Sequence, residues 1–486
     1  MDADPPVAQF VSPGAVSNES TFDEYAANPR FQQLQTELRS WLFVGANSRA
    51  HTRENSPIAQ TPESDQGIPG RQRQPGHQHL WDHVRDSADQ ITVARKIKYL
   101  HVWTTECAPW LDMFDQERHF GLQVPILAQD SAAVFHALLA VAARTAERRG
   151  GVEGSRDSLE LYSQAISALT SSLDTNEPNV MVTACLLCVL EMMSVSPRDW
   201  RRHVEGCAAL FASSGVNGFS RGLLQAVFWC YARMDLCGAI IADGAEATVL
   251  PIDNWVLLDG HHHHDDDRIH GSEGPPRQAI TEQFLQRGLQ SLDMYANYAV
   301  YLCAKVCDLL TRRTRCIELG EDNGCDYETF ESEWSQLWQE LQIWASERPK
   351  EMTPVKSTKT GTKGSPFPRI FFAHWAAISS NQIYHTACIL MLEMKIGKLF
   401  DNPEPVHSEL WHARRIVGIS LTNPHPGCIN NAIQPLYVAG KLFTHREEQA
   451  IIANLIDSIE GRTGWGSRWR IRDLEAVWGY RRGTFT

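Results

Sequence analysis

The sequence predicts an all-α protein, built as a large multi-helix bundle or as an α-solenoid-like domain. From residue 93 to residue 480 the apolar residues recur three and four positions apart, which is the spacing of one face of a helix. Strand-like alternation of apolar and polar residues is almost absent from the same stretch. Hydrophobic residues make up 43% of the chain and include 15 Trp, which is ample material for a core.

The charge balance and the cysteines narrow the class of protein. The chain has 58 Asp and Glu residues against 45 Lys and Arg residues, whereas a protein that grips nucleic acid by itself usually presents a basic face. The 12 Cys are scattered along apolar segments, and residues 1–10 lack the apolar stretch of a signal peptide. No run approaches the roughly 18 uninterrupted apolar residues of a membrane span. We therefore expect a protein of a reducing compartment, without a membrane segment.

Residues 1–92 are predicted to form a mostly disordered N-terminal region. Its flanks, residues 1–25 and 47–87, are polar and rich in Pro, and they bury too little apolar surface to offset the entropy of ordering. Between them we predict a short amphipathic helix over residues 29–44, which ends at Gly45. This helix either lies in a partner's groove or folds back on the main domain, and the second interpretation is favoured. Its apolar stripe consists of Phe31, Leu34, Leu38, Trp41 and Leu42.

The ordered body is predicted to begin at residue 93. Its first helical stretch should break at Pro109, because proline ends one helix and is tolerated in the first turn of the next. Asp130 and Ser131 can cap the buried helix that follows them. Further helices of the first half are predicted over residues 159–173, 180–193, 200–210 and 223–241.

One of these helices carries three residues that a three-residue step keeps near one face: Trp200, His203 and Gly206. Gly206 would let another backbone come close. We assign Trp200 and His203 to packing and not to catalysis, because a large ring beside a hydrogen-bonding imidazole suits a buried seam.

The second half continues the helical pattern, with one position where two interpretations remain. Asn381 and His385 lie one turn apart on a nearly all-apolar helix, where they either satisfy each other or line a ligand pocket. Satisfied core residues are the more common case. The predicted helices of this half cover residues 278–316, 327–346, 370–397, 410–423, 429–443 and 447–463, followed by a docking segment at 465–478.

Two stretches of this half are predicted to be mobile loops, residues 260–276 and the basic stretch 349–368. The first contains four consecutive histidines, His261–His264, and three aspartates, Asp265–Asp267, which are metal-binding residue types. We discount a metal site there, because adjacent residues on a loop cannot converge on an ion and nothing orients their second nitrogens. Two close cysteine pairs, 185 with 188 and 303 with 307, lie in apolar helix and are predicted to be buried free thiols.

No common catalytic constellation is present in the sequence. There is no nucleophile elbow, phosphate-binding loop, dinucleotide fingerprint or His-Glu-x-x-His helix. A terpene cyclase is rejected, because the aspartate run lacks the final carboxylate of the required cluster and lies in a loop. We expect a protein that is not an enzyme, with no catalytic, cofactor-binding, metal-binding or DNA-binding residues and no cofactor.

Several motifs together resemble the regulatory (middle homology) domain of fungal zinc-binuclear-cluster transcription factors. The resemblance covers most of the chain, and the run from Ala108 to Asp115 is similar to the subgroup of acriflavine-sensitivity-control regulators. Cys207 stands where the family usually has Ala. Nine residues, called the signature residues below, carry the resemblance and are expected to be structural: Trp110, Asp115, Tyr162, Glu191, Trp200, His203, Gly206, Arg233 and Asp235.

The resemblance implies a transcription regulator whose regulatory domain covers residues 93–486. It implies a nuclear protein, with the cytoplasm as a second location, and a secondary-metabolite or stress-response pathway. Its implied partners are the transcription machinery or a DNA-binding protein, with a homodimer or heterodimer as a further expectation. The alternative is a helical protein–protein interaction protein outside transcription, and an α-helical enzyme is a more distant alternative.

Direct, specific DNA binding by this chain is not expected. The family's zinc cluster needs six cysteines in two Cys-x-x-Cys-x6-Cys halves beside a basic run, which position a helix in the major groove. The first cysteine here is Cys107, already inside the predicted helical body. We expect either an N-terminally shortened product or a regulator that reaches promoters through a DNA-binding partner.

Overall fold

The computed structural model describes residues 25–54, 91–150, 156–170, 178–257, 277–358, 365–394 and 404–480. Helices account for nearly all of the regular structure in these ranges, so the prediction of an all-α fold is confirmed. Of the segments predicted to be disordered or mobile, 1–25, 47–87 and 260–276, all but Tyr25 and residues 47–54 lie outside the described residues.

The first half of the body is a set of helices around one central helix, α5. Helix α5 packs against α2, α6 and α7, and α8 packs against both α7 and α9. The N-cap of α5 is Ser131, whose hydroxyl accepts a hydrogen bond from the main-chain amide of Val134, as predicted. The helices are α1 (Pro29–Glu54), α2 (Val93–Val102), α3 (Ala108–Leu111), α4 (Val124–Leu127), α5 (Ala132–Arg148), α6 (Asp157–Thr170), α7 (Pro178–Ser194), α8 (Pro197–Ser214) and α9 (Leu223–Ala242).

The second half is built around α13, which is buried along most of its length. Helix α13 packs against α11, α12, α14 and α15. The helices are α10 (Arg277–Gly288), α11 (Leu292–Leu319), α12 (Tyr327–Ser346), α13 (Trp375–Met394), α14 (Glu409–Thr422), α15 (Ile433–Gly440), α16 (Arg446–Thr463) and α17 (Arg468–Trp478).

Helices that are distant in sequence pack against each other, which distinguishes a bundle from a solenoid. Helix α1 packs on α8, and α9 packs on both α11 and α15. In a solenoid each repeat contacts only its sequence neighbours. The bundle alternative of the prediction therefore describes this fold.

The helical path at residues 93–114 changes its winding where the proline was expected to break it. Helix α2 leads into a π-helical segment, Trp103–Cys107, which is followed by α3 with Pro109 in its first turn. Proline offers no amide for the preceding turn, so the wider winding before it accommodates the missing hydrogen bond.

Some predicted boundaries in the second half were wrong. The helix expected over 278–316 is interrupted at 289–291, because the hydroxyl of Ser291 caps a new helix, α11. The helix expected from residue 370 begins at Trp375, because Ile370–Phe371 forms a short strand that pairs with Lys356–Ser357.

The basic stretch 349–368 is anchored on both sides, contrary to the expectation of a mobile loop. Met352 and Phe367 are buried, and the two-residue strand pair joins the stretch to the residues before α13. Residues 359–364 of this stretch lie outside the described residues.

Within the described ranges, α9 is long and apolar enough to cross a membrane by length and composition. In the structure 72% of its apolar window is buried against neighbouring helices, as in the core helix of a globular protein. Apolarity on all sides is what a helix in the middle of a large core requires.

Candidate functional site

The carboxylate of Glu191 on α7 is the centre of a buried polar network. Its two oxygens accept hydrogen bonds from the hydroxyl of Tyr162 at 2.6 Å, the imidazole Nδ1 of His203 at 2.8 Å and the amide of Gln35 at 2.7 Å. Glu191 and His203 are fully buried. A buried carboxylate is tolerated only when its lone pairs are used, and three donors from three other helices meet that need here.

His203 is the cationic partner of this network. Burial lowers the pKa of its imidazole, but Glu191 and the Cys207 sulfur, through their charges and hydrogen bonds, together outweigh burial and raise the pKa to about 10. The ring is therefore protonated at neutral pH and forms an ion pair with Glu191 inside the core. No solvent reaches either group, which leaves the pair without access to a substrate.

Helix α1 packs closely against α8 at Gly206. A Cβ at this position would lie 2.7 Å from Cδ1 and 3.0 Å from Cβ of Leu42, so only glycine allows α1 to approach α8 this closely. The close approach expected of Gly206 is present, and the neighbouring element is α1. Of the two interpretations of this helix, folding back on the main domain describes the structure.

Helix α1 is tied to the body from Phe31 to Leu42. Phe31 and Leu42 are completely buried, and Phe31 lies against the ring of Tyr162 with 5.1 Å between ring centroids. Arg39 donates to the main-chain oxygen of Asp199 at the start of α8, at 2.7 Å. The helix is longer than predicted, because it continues past Gly45 to Glu54.

Trp200 and Asp235 are buried on neighbouring helices, and the side chain of each contacts residues close to it in the fold. The Trp200 ring lies over Gly238 of α9, where a Cβ would be 3.3 Å from its Cη2 atom. The Asp235 carboxylate accepts from the hydroxyl of Tyr231 at 2.9 Å and from the amides of Val249 and Leu250 at 2.7 and 3.0 Å. It thereby holds the chain that leaves α9 against the core.

Asp115 organises the turn after α3. Its carboxylate accepts from the amide of His119 at 2.7 Å and from Nδ1 of the same residue at 2.9 Å. The hydrogen bond to this carboxylate raises the pKa of His119. Asp115 therefore closes a local turn between two helical segments.

Trp110 and Arg233 line a cavity of about 110 Å³ between the two halves of the fold. One guanidinium nitrogen of Arg233 donates to the main-chain oxygen of Leu111 at 2.8 Å, and Trp110 meets Trp465 edge-on. The oxygen Oδ1 of Asn430, also in the lining, has no hydrogen-bond partner among the described residues. A cavity of this size holds a few water molecules or a very small ligand.

Metal chemistry finds no support in the described part of the chain. No group of three or more His, Cys, Asp or Glu residues there could hold a metal ion. All 12 cysteines are free thiols, and most are buried. The histidine and aspartate run at 261–267 lies outside the described residues.

The sequence interpretation missed the part that Gln35 plays. Gln35 lies on the buried face of α1, between Phe31 and Leu38, and its amide reaches Glu191 across 156 positions of sequence. Its position four residues after Phe31 was the available signal, because it places a polar side chain inside the apolar stripe. Periodicity could not identify its partner.

Comparison with known proteins identifies the family. Residues 98–484 match the fungal specific transcription factor domain. The chain is 23% identical over 358 residues to the transcription activator AMTR1 of Alternaria alternata, an alignment that covers 64% of this chain and 45% of that protein. The aligned part of the chain thus spans less than half the length of this relative. No solved structure matches the chain significantly. The chain belongs to the fungal-specific transcription factor domain family.

Proposed function

We propose that this chain regulates transcription in the fungal nucleus as the regulatory part of an activator, through partners and without catalysis. The observation that carries the proposal is the family match over residues 98–484. The relative is a transcription activator, which favours activation over repression as the effect of this chain. A secondary-metabolite or stress-response pathway and some presence in the cytoplasm are the finer parts of the proposal.

The proposed role of the signature residues is structural. The three carboxylates among them make enclosed contacts: Glu191 with His203, Asp235 with backbone amides, and Asp115 with His119. Groups used in this way hold helices in register and leave regulation to the surfaces of the bundle. We assign residues 93–486 to the regulatory domain and add helix α1 to it, because α1 completes the Glu191 network.

The proposed route to DNA is indirect. Of the 12 cysteines none precedes Cys107, and the chain carries a net charge of −13. We propose that residues 1–486 reach a promoter through a DNA-binding partner.

A tethering assay tests the proposal. The chain is fused to an unrelated DNA-binding domain and expressed in fungal cells that carry a reporter with the matching sites. We expect reporter expression well above that of the DNA-binding domain alone. Equal expression in the two strains, with equal amounts of nuclear protein, would refute the proposed activation.

A further inference from the structure

Asn381 and His385, one turn apart on α13, do not bond to each other; each accepts a hydrogen bond from an arginine. The oxygen Oδ1 of Asn381 accepts from the guanidinium of Arg348, which follows α12. The ring Nε2 of His385 accepts from Nε of Arg415, on α14, at 3.3 Å. One turn of a buried helix thus holds two arginines that come from its two neighbouring elements.

The orientation of Arg415 is fixed by a chain of hydrogen bonds that ends on the backbone. Nε2 of His412 lies 2.8 Å from the main-chain oxygen of Val406, and Nδ1 of His412 lies 2.7 Å from Nδ1 of His385. A carbonyl oxygen can only accept, so Nε2 of His412 carries the proton and its Nδ1 accepts from His385. His385 then presents Nε2 as an acceptor, which matches the donor Nε of Arg415.

Both imidazoles of this chain are neutral. Burial lowers the pKa of His412 to about 4, and burial together with the neighbouring His412 and Arg415 lowers the pKa of His385 well below its usual value. The two histidines therefore add no charge to the site, and they do not neutralise the arginines.

The positive charges of Arg348 and Arg415 are not compensated within the described residues. Neither guanidinium has a carboxylate within ion-pair distance there, whereas the adjacent Arg414 pairs with Glu448 at 2.7 Å. Burial and the charge of Arg348 lower the pKa of Arg415, which shows that each charge opposes the other. Two unneutralised arginines are notable in a chain with a net charge of −13.

The two arginines line one cleft of about 580 Å³, which is in the size range of small-molecule sites. Its walls also include Tyr384 and Trp411, and the guanidinium of Arg415 lies over the Trp411 ring at 4.6 Å. The amide Nε2 of Gln342, another lining residue, has no oxygen or nitrogen acceptor in the described structure and only the Cys388 sulfur near it. The only carboxylate in the lining, Glu404, is exposed.

We propose that this cleft binds a small organic anion, whose carboxylate or phosphate oxygens lie between Arg348 and Arg415. A planar guanidinium offers parallel N–H groups that match the oxygens of a carboxylate or phosphate, and the anion supplies the charge that the two arginines lack. The ligand joins the end of α12 to α14 across α13, and it is the regulatory input of the bundle. That regulatory role rests on the proposed function, whereas the binding itself does not.

Titration calorimetry on the full chain tests the site with citrate, phthalate and inorganic phosphate, and with phthalamide as the uncharged counterpart of phthalate. We expect at least one anion to bind one-to-one with a Kd below about 1 mM and phthalamide not to bind. Arg348→Gln and Arg415→Gln should each weaken binding at least about tenfold. Arg369→Gln, which removes the same charge at an exposed position outside the cleft lining, should change the affinity by less than about twofold.

The outcomes separate the two sources of the anion. Binding of phosphate alone identifies a phosphate-bearing ligand, and binding of citrate or phthalate alone identifies a carboxylate; both results support the site. Absence of binding by all three anions, or equal affinities in all variants, overturns it. Should a glutamine variant lose its helical circular dichroism, Arg348→Lys and Arg415→Lys keep the charge but lose the planar fork, and intermediate affinities are expected.

The tethering assay and the calorimetry together separate this proposal from the proposed function. Reporter activation by the wild-type chain without anion binding removes the site and leaves the function standing. Anion binding by a chain that does not affect the reporter removes the function and leaves the site standing.

Discussion

At the scale of single residues, the ion pair between His203 and Glu191 is the most consequential interaction of the fold. Removing two charges from water costs several kcal/mol per ion, and this pair offsets the cost with additional bonds from Tyr162 and Gln35. Loss of one partner leaves an uncompensated buried charge, for which about 3 to 5 kcal/mol is the usual cost.

The stabilisation from His203 should depend on pH. The folded-state pKa of about 10 lies above the value of roughly 6.5 for a free imidazole. The stabilisation is therefore complete below about pH 6.5 and is lost as pH rises towards 10. Urea unfolding of the wild-type chain and of His203→Gln measures it, because the Cys207 sulfur that helps to raise the pKa of His203 is kept in both. The difference in unfolding free energy should shrink as pH rises from 6.5 to 10, and a constant or growing difference would contradict the ion pair.

A larger side chain at Gly206 should destabilise the protein. Gly206→Leu places atoms where Leu42 already packs, so we expect a loss of about 1 to 3 kcal/mol in the free energy of unfolding. Gly461→Leu is the matched control, because Gly461 also lies in a helix but has nothing within 4 Å of its added Cβ. Denaturant titration of both variants decides the matter. Equal stabilities of the two variants would show that α1 does not rest on Gly206.

The residue-scale features were predictable to different degrees. The shared face of Trp200, His203 and Gly206 follows from their spacing, because helical periodicity fixes direction. The partners Glu191 and Leu42 belong to other helices, and the periodicity of one helix does not encode which residues of another helix it contacts. Asn381 and His385 were recognised as polar residues in an apolar helix, but their arginine partners were not.

At the scale of elements, α1 shows what amphipathicity can and cannot establish. The stripe of Phe31, Leu38 and Leu42 predicted a helix with one face to bury, and the structure buries that face on α8. The predicted end at Gly45 was wrong, since a single glycine costs only about 1 kcal/mol in a helix and the following residues continue it to Glu54. The position at which a helix ends depends on free-energy differences of this size. The presence of the helix does not depend on them.

Helix α1 should behave as part of the body. Phe31→Ala removes a completely buried ring between Tyr25 and Tyr162, so we expect a loss of about 3 to 5 kcal/mol. Phe43→Ala makes the same change on the same helix at a ring that is 44% exposed, and it should alter stability by less than about 0.5 kcal/mol. Thermal and denaturant unfolding of the two variants compares them. Similar small effects for both would mean that α1 is detached in solution.

At the scale of the whole molecule, the sequence predicted the fold class but not the arrangement of the helices. The absence of strand periodicity is a property of every segment, so it predicts an all-α fold without knowledge of contacts. The choice between bundle and solenoid depends on pairs such as α1 with α8, which only tertiary packing decides. A ligand pocket at Asn381 and His385 was one of two interpretations of the sequence, and His385 does line the cleft, but the walls from α12 and α14 depend on tertiary packing.

The whole chain should not recognise a DNA sequence by itself. With a net charge of −13 and no cysteine before Cys107, residues 1–486 should give no sequence-specific footprint on the target promoters. Nuclease protection with purified protein, at low and at physiological salt, measures this. A short protected site that persists at physiological salt would contradict the expectation and would require a base-reading surface on the helical body.

The central claim is that this chain acts on transcription at promoters. Chromatin immunoprecipitation from the fungus, with the chain tagged at its own locus and transcripts compared in a deletion strain, tests that claim most directly. We predict enrichment at discrete promoters, with expression of the adjacent genes reduced in the deletion strain. Enrichment no greater than that of an untagged strain, together with unchanged transcripts, would contradict the account.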